Sequence, residues 1–117
     1  MIKKERIKKI CCIDYAFHRI GGKHKGRILW SVNEHGKLRY GELKRIITGI
    51  TTKMLTKTLR ELEQDNLLIR KSFQEIPPRV EYSLTEEAGH LIPFIEHLKH
   101  WGESKMIING KDKVLYS

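Results

Sequence analysis

Apolar residues recur along most of this chain at helical spacing, and the rhythm changes to alternation late in the sequence. Ile13, Ala16, Phe17 and Ile20 fall three, four and seven residues apart, which predicts a short amphipathic helix that Gly21-Gly22 ends. A second helix is expected from Lys23 to about Asn33. Ile28, Leu29 and Val32 would face inward, Lys23, Lys25 and Arg27 mostly outward, and Gly36 closes it. A brief extended piece, Leu38 to Tyr40, leads into a third helix carrying Leu43, Ile46 and Ile47. Gly49 permits positive φ in the turn that follows, and Thr51 is placed to cap a fourth helix from about Thr52 to Asp65. Leu55, Leu59 and Leu62 form the stripe of that helix, and Asn66 suits a left-handed C-cap.

The alternation follows. "LLIRKSF" and "VEYSL" read as two strands, with Val80, Tyr82 and Leu84 on one face. Pro77-Pro78 between them removes two backbone donors and fixes φ, so the connection reads as the tip of a stiff ribbon. Thr85 is an N-cap candidate, and Glu86-Glu87 suit the positive end of the next helix. That helix should run toward Trp101 with Leu91, Phe94, Ile95 and Leu98 apolar, bending or restarting at Pro93. The order predicts an α+β fold, mostly α: a winged helix-turn-helix with a two-stranded wing and flanking helices, to which the resemblance described below adds a dimerisation role. A basic lead-in (1–12) precedes a single domain (13–103). A tail (104–117) of unassigned role follows, with a turn signal at Asn109-Gly110.

With its leucine stripe buried, the fourth helix leaves Thr52, Lys53, Thr56, Lys57 and Arg60 outside. Short hydroxyls and long cations suit base edges and phosphates in a major groove. An ordinary amphipathic surface helix is the plainer reading of that face taken alone. Together with the turn and the ribbon, it reads as the recognition helix. Pro77, Pro78 and Arg79 then form the wing element, with Arg79 set to enter the adjacent minor groove unless it merely pairs with Glu75 or Glu81. Lys23, Lys25, Arg27, Tyr40, Lys44 and Arg45 are the candidates for phosphate contact.

Charge supports this placement. The net charge of the 117 residues is +9, but residues 1–60 carry +12 and residues 61–117 carry −3, so one part of the surface is strongly positive. No apolar run approaches membrane-spanning length, and the amino terminus has no secretory hydrophobic region, which predicts a cytoplasmic protein. The adjacent Cys11 and Cys12 are not a secreted disulfide framework. No phosphate loop, nucleophile–base signature or zinc motif is present, so neither an enzyme nor a cofactor is expected. His90, His97 and His100 lack the further ligands of a metal site, and none is assigned. "KKERIKK" lacks the bulky apolar face that membrane-surface binding needs. A winged-helix module that contacts protein or RNA is the alternative to a regulator that binds duplex DNA.

"CCIDYAFHRIGGKHKGRILW", "LRYGELKRIITGITTKMLTKTLRELEQDNLL", "IPPRVEYSLT" and "PFIEHLKHWGE" together resemble the HxlR-type winged helix-turn-helix transcription regulators, relatives of the MarR group. The resemblance runs from about Cys11 to Glu103. It implies homodimers that bind two half-sites of a near-palindromic duplex, joined through the first helix and the helix after the wing. Ile13, Phe17, Phe94, Ile95, Leu98 and Trp101 are the candidate interface residues. Some members respond to oxidants or electrophiles through a cysteine matching Cys11, which makes Cys11 and its neighbour Cys12 the candidate redox thiols and an oxidant or small molecule the expected inducer. Three features depart from the family pattern. His24 stands where tryptophan is usual, Cys12 stands where proline is common, and the tail beyond Glu103 has no clear counterpart.

Overall fold

The computed structural model describes residues 11–108. In chain order it has α1 (Cys12–Ile20), α2 (Lys25–His35), β1 (Lys37–Arg39), α3 (Tyr40–Ile46), α4 (Thr52–Gln64), β2 (Leu68–Phe73), β3 (Arg79–Leu84) and α5 (Glu86–Ile108). The expected end signals operate. The Thr51 hydroxyl accepts from the Met54 amide at 3.1 Å and starts α4. Asn66, at φ 60°, takes the left-handed state one residue past the Asp65 C-cap of α4, and the Thr85 hydroxyl accepts from the Ala88 amide at 3.0 Å at the head of α5. Gly49, at φ 88°, makes the turn between α3 and α4, a backbone state costly for any residue with a Cβ.

The core lies between α2, α3, α4 and the sheet. Ile28, Leu29, Val32, Leu43, Ile47, Leu55, Leu59 and Leu62 are all buried, as the helical stripes predicted. Leu38, Leu68 and Tyr82 close it from the sheet side. Removing the side chain of any of these leucines costs about 2–5 kcal/mol, because a packed interior relaxes only partly around a cavity.

Four features differ from the sequence reading. The extended piece before α3 is a true strand, and the sheet has three members in the order β1-β3-β2, with Leu38 opposite Tyr82 and Arg70 opposite Tyr82 from the other side. Pairing of Leu38 with Tyr82, residues far apart in the chain, leaves no local signal. α2 begins at Lys25 rather than Lys23, since Gly22 at φ 93° is still part of the turn. α5 is one element through Pro93 and does not restart there. It also continues past Trp101 to Ile108, so residues 104–108 extend the helix instead of opening a separate tail. The Asn109-Gly110 turn signal and the basic residues before Cys11 lie outside the described residues.

α1 stands apart from this core: none of its residues is buried. Ile13 and Phe17 remain 61% and 53% exposed. Its links to the body include Ile20, half-buried against the core, the edge-on contact of Phe17 with Phe94 at 6.2 Å between ring centroids, and the Arg19–Asp65 ion pair at 3.1 Å.

Candidate nucleic-acid interface

α3 and α4, joined by the Gly49 turn, form the helix-turn-helix, and the leucine stripe of α4 determines which side chains are left outside. Thr52, Lys53, Lys57 and Arg60 are exposed along one face. Thr56 is half-buried, because the Tyr40 hydroxyl lies against its Oγ1 at 2.9 Å and donates to the Thr52 carbonyl at 3.1 Å. Tyr40 therefore braces the helix from α3, and its hydroxyl is already engaged. Among the described residues no carboxylate pairs with Lys53, Lys57, Arg60, Lys44 or Arg45.

Two acids of the last turns of α4 are engaged by other helices. Glu61 lies 3.6 Å from the Lys25 ammonium, and Asp65 pairs with Arg19. These pairs turn two negative charges toward α1 and α2, and Glu63 stays exposed on α4 near Arg60. They also revise two phosphate candidates. Lys25 is not mostly outward: its side chain is 14% exposed and donates to the Arg19 carbonyl at 2.9 Å, a cation set on the unsatisfied end of α1. Arg27 is half-buried and donates to the Ile46 carbonyl at 3.4 Å. Lys23 is exposed, and Arg45 is exposed on α3 with Lys44 half-buried beside it. His24 is half-buried at the start of α2; burial, then Lys23 and Arg27, hold its protonation below the usual histidine range.

β2 and β3 form the wing. Ile76 is fully exposed at its tip, beside exposed Pro77 and Pro78. Arg79 is not extended from that tip. Its guanidinium lies 3.9 Å over the Phe73 ring and contacts Glu75 at 3.0 Å and Glu81 at 3.5 Å, leaving the side chain 23% exposed. The cross-strand pairing of Phe73 with Arg79 makes this stack, which a reading of the loop by itself could not supply. Sequence reasoning also missed Arg70 and Lys71, exposed cations of β2. For Arg70 the signal was present in the alternation Leu68, Arg70, Ser72, which continues an inward-facing row into polar residues.

Both cysteines are exposed free thiols. Cys11 occupies the N-cap position of α1, where the amides of Asp14 and then Ile13 draw its thiol below the usual cysteine range.

A family model for HxlR-like helix-turn-helix proteins matches residues 19–109. The chain belongs to that family. It is 47% identical over 104 residues to the regulatory protein MalR of Fusobacterium mortiferum, covering 88% of this chain and 98% of that protein. It is 43% identical over 97 residues to the HTH-type transcriptional regulator YybR of Bacillus subtilis, covering 83% of this chain and 77% of YybR. Among solved structures it is similar to the redox regulator HypR in its reduced form, at a TM-score of 0.79 and 40% identity over 86% of this chain and 98% of that one. This HxlR-family protein is a DNA-binding transcriptional regulator. No helix among its described residues is long and apolar enough to cross a membrane.

Proposed function

We propose that the protein acts in the cytoplasm as a homodimer on a near-palindromic duplex site, with α4 in the major groove, the wing over the adjacent minor groove, and Cys11 as an oxidant-responsive thiol. The observation that carries the reading is the face of α4, where Lys53, Lys57 and Arg60 stand exposed without carboxylate partners among the described residues. Thr52, Lys53, Thr56 and Lys57 read base edges; Lys23, Lys44 and Arg45 meet phosphates. Arg79 reaches DNA by exchanging the Glu75 carboxylate for a phosphate or a groove edge, with Phe73 keeping it in place.

The dimer reading is supported by apolar surface that one small core does not use. Phe94, Leu98 and Trp101 are 39%, 46% and 61% exposed on α5, and Ile13 and Phe17 face solvent on α1. Ile95 is the exception, half-buried against the protein's own core. Redox control is supported by the exposed Cys11 and by the likeness to HypR, a redox regulator. Joining two thiols releases two electrons and two protons to a two-electron oxidant, and a bridge between protomers at α1 would alter the spacing of the two α4 helices.

The test is selection of genomic duplex fragments by the reduced protein, with the best fragment followed before and after oxidant. A shared near-palindromic site, and an affinity change that Cys11→Ser abolishes, is the expected result. Binding blind to sequence in both redox states would sink the proposal. Sedimentation covers the dimer: the wild type should run as two chains, and Trp101→Glu as one.

A further inference from the structure

Between α4 and the wing lies a recess of about 440 Å³, whose lining includes Tyr40, Thr56, Arg60, Glu63, Arg70 and Tyr82. Its two cations come from different elements, Arg60 from α4 and Arg70 from the edge strand β2. The pleat explains why an arginine faces this way. Leu68, Arg70 and Ser72 share the sheet face that carries Tyr82; Leu68 is buried, and Arg70 lies past the edge of the core. The Arg70 guanidinium donates to the Ser72 hydroxyl at 3.0 Å. Among the described residues neither arginine forms an ion pair, and Glu63, the carboxylate on the lining, pairs with neither.

We infer that this recess seats one backbone phosphate of the bound duplex, clamped between Arg60 and Arg70. The inference rests on the proposed placement of α4 in the major groove and the wing over the adjacent minor groove. The strand dividing those two grooves must then cross the gap between helix and wing, so its phosphates pass over the recess. Planar guanidinium forks contributed to one recess by α4 and by β2 suit a tetrahedral anion better than a base edge. Arg60 is thereby a backbone contact, not the base reader that its position on the exposed helical face suggested. The seat fixes the register of helix and wing on the duplex while carrying no sequence information.

The experiment measures affinity across salt for one duplex, the selected site or a random sequence where selection yields none. Wild type, Arg60→Ala, Arg70→Ala, Arg70→Lys and Glu63→Gln are compared, with thermal melts confirming that each is folded and Arg60→Gln or Arg70→Gln replacing an alanine variant that is not. Losing the clamp should remove about one unit per protomer from the slope of log affinity against log salt. Affinity should fall about tenfold or more with the preferred sequence unchanged. Arg70→Lys should fall between, and Glu63→Gln should bind more tightly. A neutral methylphosphonate walked along the strand should weaken the wild type at one position that no longer matters to Arg70→Ala. A folded Arg70→Ala with unchanged slope, or one with altered sequence preference, overturns the clamp while leaving the regulator reading intact. A wild type that binds no duplex overturns the groove placement and the clamp with it.

Discussion

The Tyr40 hydroxyl lies 2.9 Å from Thr56 Oγ1 and donates to the Thr52 carbonyl at 3.1 Å, so the first residue of α3 is tied to the reading face of α4. This tie sets how the two helices of the motif cross and which way the Thr56 hydroxyl points. Tyr40→Phe keeps the ring and removes the tie. Its expected cost is about 1 kcal/mol, the usual net worth of a hydrogen bond of this kind, read as a lower urea midpoint. Affinity for the preferred site should fall more than affinity for random duplex, because bulk phosphate contacts are untouched. Equal losses on both duplexes would mean that Tyr40 does not orient a base reader.

Lys57 and Lys25 should behave differently although both are helix lysines in the basic half of the chain. Lys57 is exposed on the face of α4, and Lys57→Ala is expected to change which duplex sequences are preferred. Lys25 is held by the Arg19 carbonyl and Glu61, so Lys25→Ala should cost about 1 kcal/mol of stability and leave the salt slope nearly unchanged. Melts and salt titrations on the two variants separate these outcomes; a flattened slope for Lys25→Ala would restore it as a phosphate contact.

Phe73 serves as the platform for Arg79, with the guanidinium 3.9 Å above its ring. Phe73→Ala should lower stability by about 1 kcal/mol through the lost stacking and cross-strand contact. It should weaken binding to all duplexes to a similar degree, since the loosened arginine belongs to the wing and not to the reading helix. A shift in preferred sequence after this change would show that the wing takes part in base discrimination.

Cys11 should titrate early. The Asp14 and Ile13 amides favour its thiolate, so in the folded chain it deprotonates at lower pH than in the unfolded one. The thiolate is the reactive form, and its fraction rises with pH. In a Cys12→Ser background near neutral pH, the native protein should therefore react with a thiol reagent faster than the urea-unfolded chain. The difference should vanish once pH exceeds the unfolded thiol's range, where both are deprotonated. Slower reaction in the native state would mean that the helix amides do not activate Cys11.

Much of the fold was legible because its signals are local. Leu55, Leu59 and Leu62 mark a buried face by spacing alone, and Thr51, Asn66 and Thr85 satisfy or release backbone groups within a few residues of themselves. The exposed residues of α4 followed by subtraction once that stripe was assigned, so the outline of the interface could also be read from the chain. Lys25 was misjudged because its partners, Arg19 and Glu61, sit on two other helices. The pairing of Arg79 with Glu75 and Glu81 is open to a reading of the loop, but its platform, Phe73, becomes its neighbour only when the strands pair.

Sequence by itself determined the helices, their caps, the wing and the basic half of the surface. These depend on side-chain periodicity and short-range backbone chemistry, which the order of residues contains. Tertiary structure alone decided which cations pair and which remain available. Charge interactions act across space between elements distant in sequence, and only packing brings Arg60 and Arg70 to two sides of one recess or sets Tyr40 against Thr56.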